Sequence, residues 1–180
     1  NHFKALGDKQ GLSAPPEPLY FLKAPNSFAD PGDAIMQPRD KGKVVYEGEL
    51  AIVIGRTASG ISEAEAMAHV FGYTCVNDVT AAEVLNRDAS FAQWTRAKGQ
   101  DGFCPLGPAL VTADEIPDPQ NLRLRTLLNG EVLQDSTTAD MIFGVAELIS
   151  RISRWCTLEP GDIIATGTPP GVGYFRDPRR

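Results

Sequence analysis

Residues 44–54 read VVYEGELAIVI. β-branched residues dominate the run and Gly55 follows it, which is the composition of a largely buried strand. Glu47 and Glu49 interrupt it two residues apart. Side chains at i and i+2 leave an extended chain on the same face, roughly 7 Å apart by the rise per residue. Two carboxylates on one face of an apolar strand repel each other and resist desolvation. A hard divalent cation, which takes oxygen ligands, relieves both costs. A solvated strand face accommodates them equally well.

Downstream, Ser62 with Glu65 three places on has the pattern of a capping box, and it predicts a helix running to about Val70 and stopping at Gly72. Tyr73 to Val79 is a second apolar strand. Asp78 sits at its end, where a charge has no packing role and could be a third metal ligand, or half of a turn-forming Asn77-Asp78 pair. Residues 80–100 look irregular or briefly helical. Within them Lys98 precedes a Gly/Pro loop and is either surface charge or a cationic contact for a substrate anion. Leu106 to Thr112 and Leu122 to Leu128 are further strands. Asn129-Gly130 predicts a type I′ hairpin. Met141, Val145, Leu148, Ile149 and Ile152 recur at helical spacing, with Thr138 or Asp140 as cap. Ile163 to Thr166 is a last strand, and the loop ATGTPPGVG (165–173) offers backbone N–H groups and the Thr168 hydroxyl to an anion, or forms a plain turn.

Upstream, Pro15, Pro16 and Pro18 make residues 1–18 an extended arm. Leu19-Tyr20-Phe21-Leu22 is a short strand candidate, and residues 24–43 are loop. The polar tail from Gly171 to Arg180 contains no closing strand, and the chain begins at Asn1 rather than Met, so both ends look incomplete. With 180 residues, 42% hydrophobic and 22% charged, the chain fits one soluble domain, 1–180. Strands without regular crossover helices favour an α+β, mostly-β fold. A net charge of −6 argues against nucleic-acid binding. No apolar run approaches the ~18 residues of a membrane span. Cys75, Cys104 and Cys156 are odd in number and widely spaced, and read as buried thiols in a reducing, cytoplasmic compartment.

The stretches PLYFLKAPNSF, YEGELAIVIG, AMAHVFGYTCVNDVTA, QWTRAKGQDGFCPLGP, NGEVLQDSTTADMIF and LEPGDIIATGTPPGVG, taken in order, resemble the fumarylacetoacetate hydrolase family. The resemblance implies that family's mixed β-sandwich roll with small helices, a homodimer, and one catalytic domain. It implies metal ligands Glu47, Glu49 and Asp78, holding Mg²⁺ or Mn²⁺ (with Ca²⁺ as a stand-in in crystals) and no organic cofactor. It implies Lys98 as the catalytic and substrate-binding lysine, with Thr168 and Lys23 as further substrate contacts. The substrate class would be small anionic 2-oxo acids, such as acylpyruvates from aromatic catabolism.

The family's hydrolytic members carry N-Y-x-x-H-x-x-E near the start. Here the segment is NHFKALGDKQ, with Ala5 at the histidine and Asp8 at the glutamate. His2 either serves as general base with Asp8 orienting it or takes the tyrosine's place. An arginine common after the metal aspartate is also missing, and Arg87 is its candidate substitute. His69 reads as structural. The expectation is a C–C hydrolase of an acylpyruvate. The alternatives are an isomerase or decarboxylase of an unsaturated 2-oxo dicarboxylate, and an inactive binding homologue.

Overall fold

Residues 44–54 fold as two strands, not one. In the computed structural model, which describes residues 2–39, 42–85 and 87–173, β2 (Val44–Val45) ends before Tyr46 and β3 (Gly48–Ile54) begins after Glu47. β3 is central. It pairs antiparallel with β4 (Val70–Asn77) on one side and with β9 (Ile163–Ala165) on the other, so that Ile52 faces both Tyr73 and Ile164. Covered on both faces, β3 buries most of its residues, Glu49 included, which accounts for the apolar run Leu50–Ile54.

β6 (Cys104–Thr112) extends the sheet beyond β4, and the short β1 (Phe28–Ala29) joins β6 as the single parallel pair among the described residues. The order is β1-β6-β4-β3-β9. Two smaller ladders flank it: β2 with β5 (Thr80–Ala81), and the hairpin of β7 (Arg123–Leu128) with β8 (Glu131–Thr137). Asn129 and Gly130 turn that hairpin with φ of 51° and 83°, the left-handed pair a type I′ turn requires. This is the mostly-β α+β architecture expected.

The two faces of β3 have different roles. Leu50, Ile52 and Ile54 point into the main core with Phe3, Leu6, Tyr73, Phe143, Leu148 and Ile149. Each such side chain, fully buried, contributes roughly 1.5–3 kcal/mol. The opposite face carries Glu49 and Ala51, the latter packed with Val76 and Cys104. A third cluster of Val79, Ala81, Val84, Ala97 and Phe103 holds α3 (Ala82–Leu85) against α4 (Trp94–Lys98). Glu49 therefore lies on the face of β3 turned away from the main hydrophobic core.

Several expectations are corrected. The arm 1–18 is not extended throughout: α1 (Lys4–Gln10) occupies it, because Phe3 and Leu6 reach the main core and Gly11, at φ 66°, ends the helix. Leu19 to Leu22 form no ladder; Leu19 and Leu22 are 84% and 77% exposed. The Ser62–Glu65 capping box is present, but α2 (Glu63–Ala66) is a single turn passing into a 3₁₀ turn at Met67–His69. The Asn77-Asp78 turn is present as a three-residue turn, the Val79 N–H donating to the Asn77 carbonyl at 2.9 Å, and it does not keep Asp78 from the acidic cluster. The helix expected from the spacing of Met141 to Ile152, with Thr138 or Asp140 as cap, is α5 (Val145–Ser153), capped by Gly144. Thr138 is buried and its hydroxyl accepts the Leu122 N–H at 2.9 Å. Of the three free cysteines only Cys104 is buried. His69 is half-buried, its Nδ1 3.3 Å from the Arg56 carbonyl. Residues 174–180 of the polar tail lie outside the described residues.

Candidate metal centre

Backbone pairing at the open ends of β3 and β4 brings the acids together. The Asp78 N–H donates to the Glu47 carbonyl at 2.9 Å, and the Asn77 side chain accepts the Glu47 N–H at 2.9 Å. Gly48, between the two glutamates, lets the β7–β8 hairpin approach: an added Cβ would meet Thr126 Oγ1 at 2.0 Å. The result is that Glu47, Glu49 and Asp78 each offer a carboxylate oxygen within 4.8 Å of the others. Among the described residues this is the only such acidic group. Glu49 and Asp78 are buried, while the Glu47 side chain is 20% exposed and marks the side open to solvent.

Two ammonium groups face these three carboxylates. Lys98 Nζ, at the end of α4, donates to Glu47 Oε2 (2.9 Å), Asp78 Oδ2 (2.6 Å) and Thr80 Oγ1 (2.7 Å). Lys23 Nζ donates to Asp78 Oδ1 (2.6 Å), to the Phe103 carbonyl (2.9 Å) and to the Lys98 carbonyl. Burial alone would lower the Lys98 pKa, yet the charges of Glu47 and Asp78 outweigh it and raise the pKa above its usual value. Glu49 has no lysine. Its only described donor is the Gly167 N–H, at 2.7 Å. Burial first, then the charges of Asp78 and Glu47, hold its carboxyl well above the ordinary range. Glu47 is raised by burial too, against the opposing pull of Lys98. An oxygen-only donor set with an uncompensated buried carboxylate fits a hard divalent ion.

The remaining candidates fall around this cluster rather than in it. Thr168 donates its hydroxyl to the Gly48 carbonyl at 2.9 Å and accepts from Gln134 Nε2 at 2.8 Å. Its one proton is thus spent on locking the 165–173 loop to the E-G-E segment. Lys23, expected to touch substrate, has all three N–H donors engaged inside the protein. His2 and Asp8 do not form the expected base–orienter pair. Asp8 is exposed on α1. The Phe143 N–H donates to His2 Nε2 at 3.2 Å, which leaves Nδ1 to carry the proton and donate to the Thr166 carbonyl. Both ring nitrogens are occupied, and burial lowers the pKa, so the imidazole is neutral in a single tautomer. Arg87 lines a separate cavity of about 590 Å³ with Asp88, Gln93 and Arg96.

Sequence reasoning missed Gln134 and Thr80. Gln134 is 1% exposed and makes four hydrogen bonds, accepting from Gly48 N and Thr126 Oγ1 and donating to Thr168 and the Pro169 carbonyl. In a hairpin of alternating pattern a glutamine reads as a solvent-facing residue, so no local signal singled it out. Thr80 bridges Lys98 and Glu47; its position two residues after Asp78 was a usable hint.

Residues 1–180 match the family model described as fumarylacetoacetate (FAA) hydrolase C-terminal. The chain is 46% identical over 170 residues to the mitochondrial oxaloacetate tautomerase FAHD2B of Homo sapiens, an alignment covering 94% of this chain and 54% of that protein. It is 45% identical over 171 residues to the 2,4-didehydro-3-deoxy-L-rhamnonate hydrolase of Sphingomonas sp. (strain SKA58), covering 95% and 59%. Among solved structures, the 5-carboxymethyl-2-hydroxymuconate delta-isomerase of Mycobacterium smegmatis superposes with a TM-score of 0.86 at 43% identity, covering 96% of this chain and 66% of that one. The chain thus spans a little over half the length of these two curated relatives.

Proposed function

The chain belongs to the fumarylacetoacetate hydrolase family, and from that premise we propose that it is a divalent-metal-dependent enzyme of enol chemistry, shifting a small anionic 2-oxo acid between keto and enol forms or between double-bond isomers. The observation that supports this reading best is the cluster of Glu47, Glu49 and Asp78 with Lys98 lodged against two of them.

A bound divalent ion, held by Glu47, Glu49 and Asp78, would supply Lewis acidity toward a substrate oxygen. Lys98 adds a preorganised cationic donor beside the same position, where negative charge develops as the carbon next to the ketone loses its proton. All three Lys98 donors are engaged in the free protein, so one must be exchanged for the substrate. The Glu47 contact, its longest and on the exposed side, is the natural one. A local pair of cations in an acidic chain also explains how an anionic substrate is held.

Both reactions need a proton acceptor, but enolisation only moves one proton between carbon and oxygen, whereas hydrolysis also needs a water held and activated for attack on the second carbonyl. Ala5 stands at the family's histidine position, and His2 has both nitrogens engaged. C–C hydrolysis of an acylpyruvate is the second reading, favoured by the hydrolase named among the relatives. The proposal includes a homodimer, for which exposed Leu19, Leu22 and Trp155 offer apolar surface, and a reducing compartment such as the cytoplasm, which suits the exposed free thiols Cys75 and Cys156.

The test is spectrophotometric. Metal-stripped protein is given oxaloacetate and a panel of acylpyruvates, with and without Mg²⁺, and the ultraviolet enol band is followed. A Mg²⁺-dependent change without fragmentation is expected. Release of two acids would establish the hydrolytic reading instead. Full turnover in EDTA would remove the metal, and equal inactivity of the parent and Glu47→Ala would leave a binding homologue.

A further inference from the structure

The segment Leu19–Lys23 has no ladder to hold it, yet it delivers two side chains to the centre. Phe21 and Lys23, two apart, turn inward while Leu22 between them is 77% exposed. The Phe21 ring lies 5.2 Å from Lys98 Nζ and stacks on Trp94. Lys23 gives its three donors to three different elements. One goes to Asp78 Oδ1, just past β4. One goes to the Lys98 carbonyl, at the C-terminal end of α4. One goes to the Phe103 carbonyl, immediately before β6.

The geometry points to Lys23 as a positioning residue, not a substrate ligand: a single ammonium that fixes the Asp78 carboxylate relative to the backbone carrying Lys98. With Oδ1 held by Lys23, the other oxygen, Oδ2, is aimed at Lys98 Nζ, 2.6 Å away. The Lys98 carbonyl is a helix-end acceptor left without an intrahelical partner. Reaching out to a substrate would strip that carbonyl and Phe103 of this donor. The residue thus couples the placement of a metal ligand to the placement of the catalytic lysine. This rests on the proposed metal-dependent function.

The experiment is a Mn²⁺ titration of metal-stripped protein by electron paramagnetic resonance, with steady-state kinetics on oxaloacetate alongside. Lys23→Met is expected to weaken Mn²⁺ binding about 10–100-fold and to lower kcat, with KM changed by less than about threefold. Lys23→Arg keeps the charge but spreads its donors over a planar fork; it is expected to fold and still to bind Mn²⁺ about tenfold more weakly. Parent-like Mn²⁺ affinity in Lys23→Met overturns the inference, as does a raised KM with Mn²⁺ binding intact. Should Lys23→Met not fold, full Mn²⁺ affinity in Lys23→Arg overturns it equally. A parent that binds no Mn²⁺ removes the metal reading itself, and this inference with it, before any variant is compared.

Discussion

Gly167 donates its N–H to Oε2 of Glu49 at 2.7 Å, joining two residues 118 positions apart. Through this bond the loop after β9 supports the one carboxylate of the cluster to which no lysine is bonded. Gly167 can come so close because it has no side chain: at φ 88° an added Cβ would lie 2.6 Å from the His2 Cβ.

The Glu49 carboxyl, held well above the ordinary range by burial and by its acidic neighbours, predicts a pH signature. The native state keeps this proton more tightly than the unfolded chain. The contribution of Glu49 to the stability of the metal-free protein therefore falls as pH rises from the unfolded carboxyl range, about 4.3, toward neutrality. Glu49→Gln is neutral throughout. In EDTA its melting temperature should exceed the parent's near neutral pH, and the gap should close toward about pH 4. Mg²⁺ should raise the parent's melting temperature and leave the variant's unchanged. A gap that does not vary with pH would contradict the assignment.

Lys98→Met should lower kcat about 10²–10³-fold, the range for losing one preorganised donor to a developing oxyanion. Binding of Mn²⁺ should survive, because Lys23 still fixes the Asp78 carboxylate through Oδ1. A variant retaining parental kcat at saturating substrate would sink a role for this ammonium in turnover.

His2 ties the Thr166 carbonyl to the Phe143 N–H. His2→Ala should cost about 1–3 kcal/mol of stability for the partners left unsatisfied, measured by urea unfolding. Turnover at a temperature where the variant is folded should stay within about tenfold of the parent, whereas loss of a general base costs about 10²–10⁴-fold. A folded variant with a loss in that larger range would return His2 to the chemistry.

Gly48→Ala places a Cβ 2.0 Å from Thr126 Oγ1 and should destabilise by about 1–3 kcal/mol, the usual cost of overpacking. Thr126→Ala removes that oxygen. The double variant should recover part of the loss, giving a coupling energy of at least about 0.5 kcal/mol in a double-mutant cycle. Additive losses would mean that the β7–β8 hairpin does not press on Gly48.

Much of the framework was legible because its signals are local. The apolar run around Ile52, the Ser62–Glu65 box and the Asn129-Gly130 turn each depend on a few neighbouring residues, and each is present. α1 was hidden because its stability comes from Phe3 and Leu6 reaching a core assembled from residues 50–164, not from its own short sequence. The Leu19–Leu22 segment failed in the opposite sense: its apolar composition suggested a strand, but no neighbouring strand pairs with it.

The sequence by itself determined which chemistry is on offer: three acids at two sites, a strand period that turns Glu47 and Glu49 to one side, and a lysine following in order. Tertiary structure decided what each group already holds in the folded chain. His2, Thr168 and Lys23 are the right residue types for a base, a hydroxyl donor and a substrate cation. Each instead gives its donors to partners far away in the chain. A side chain has only a few protons to donate, and whether they are already committed depends on which distant acceptors the folded chain brings within about 3 Å.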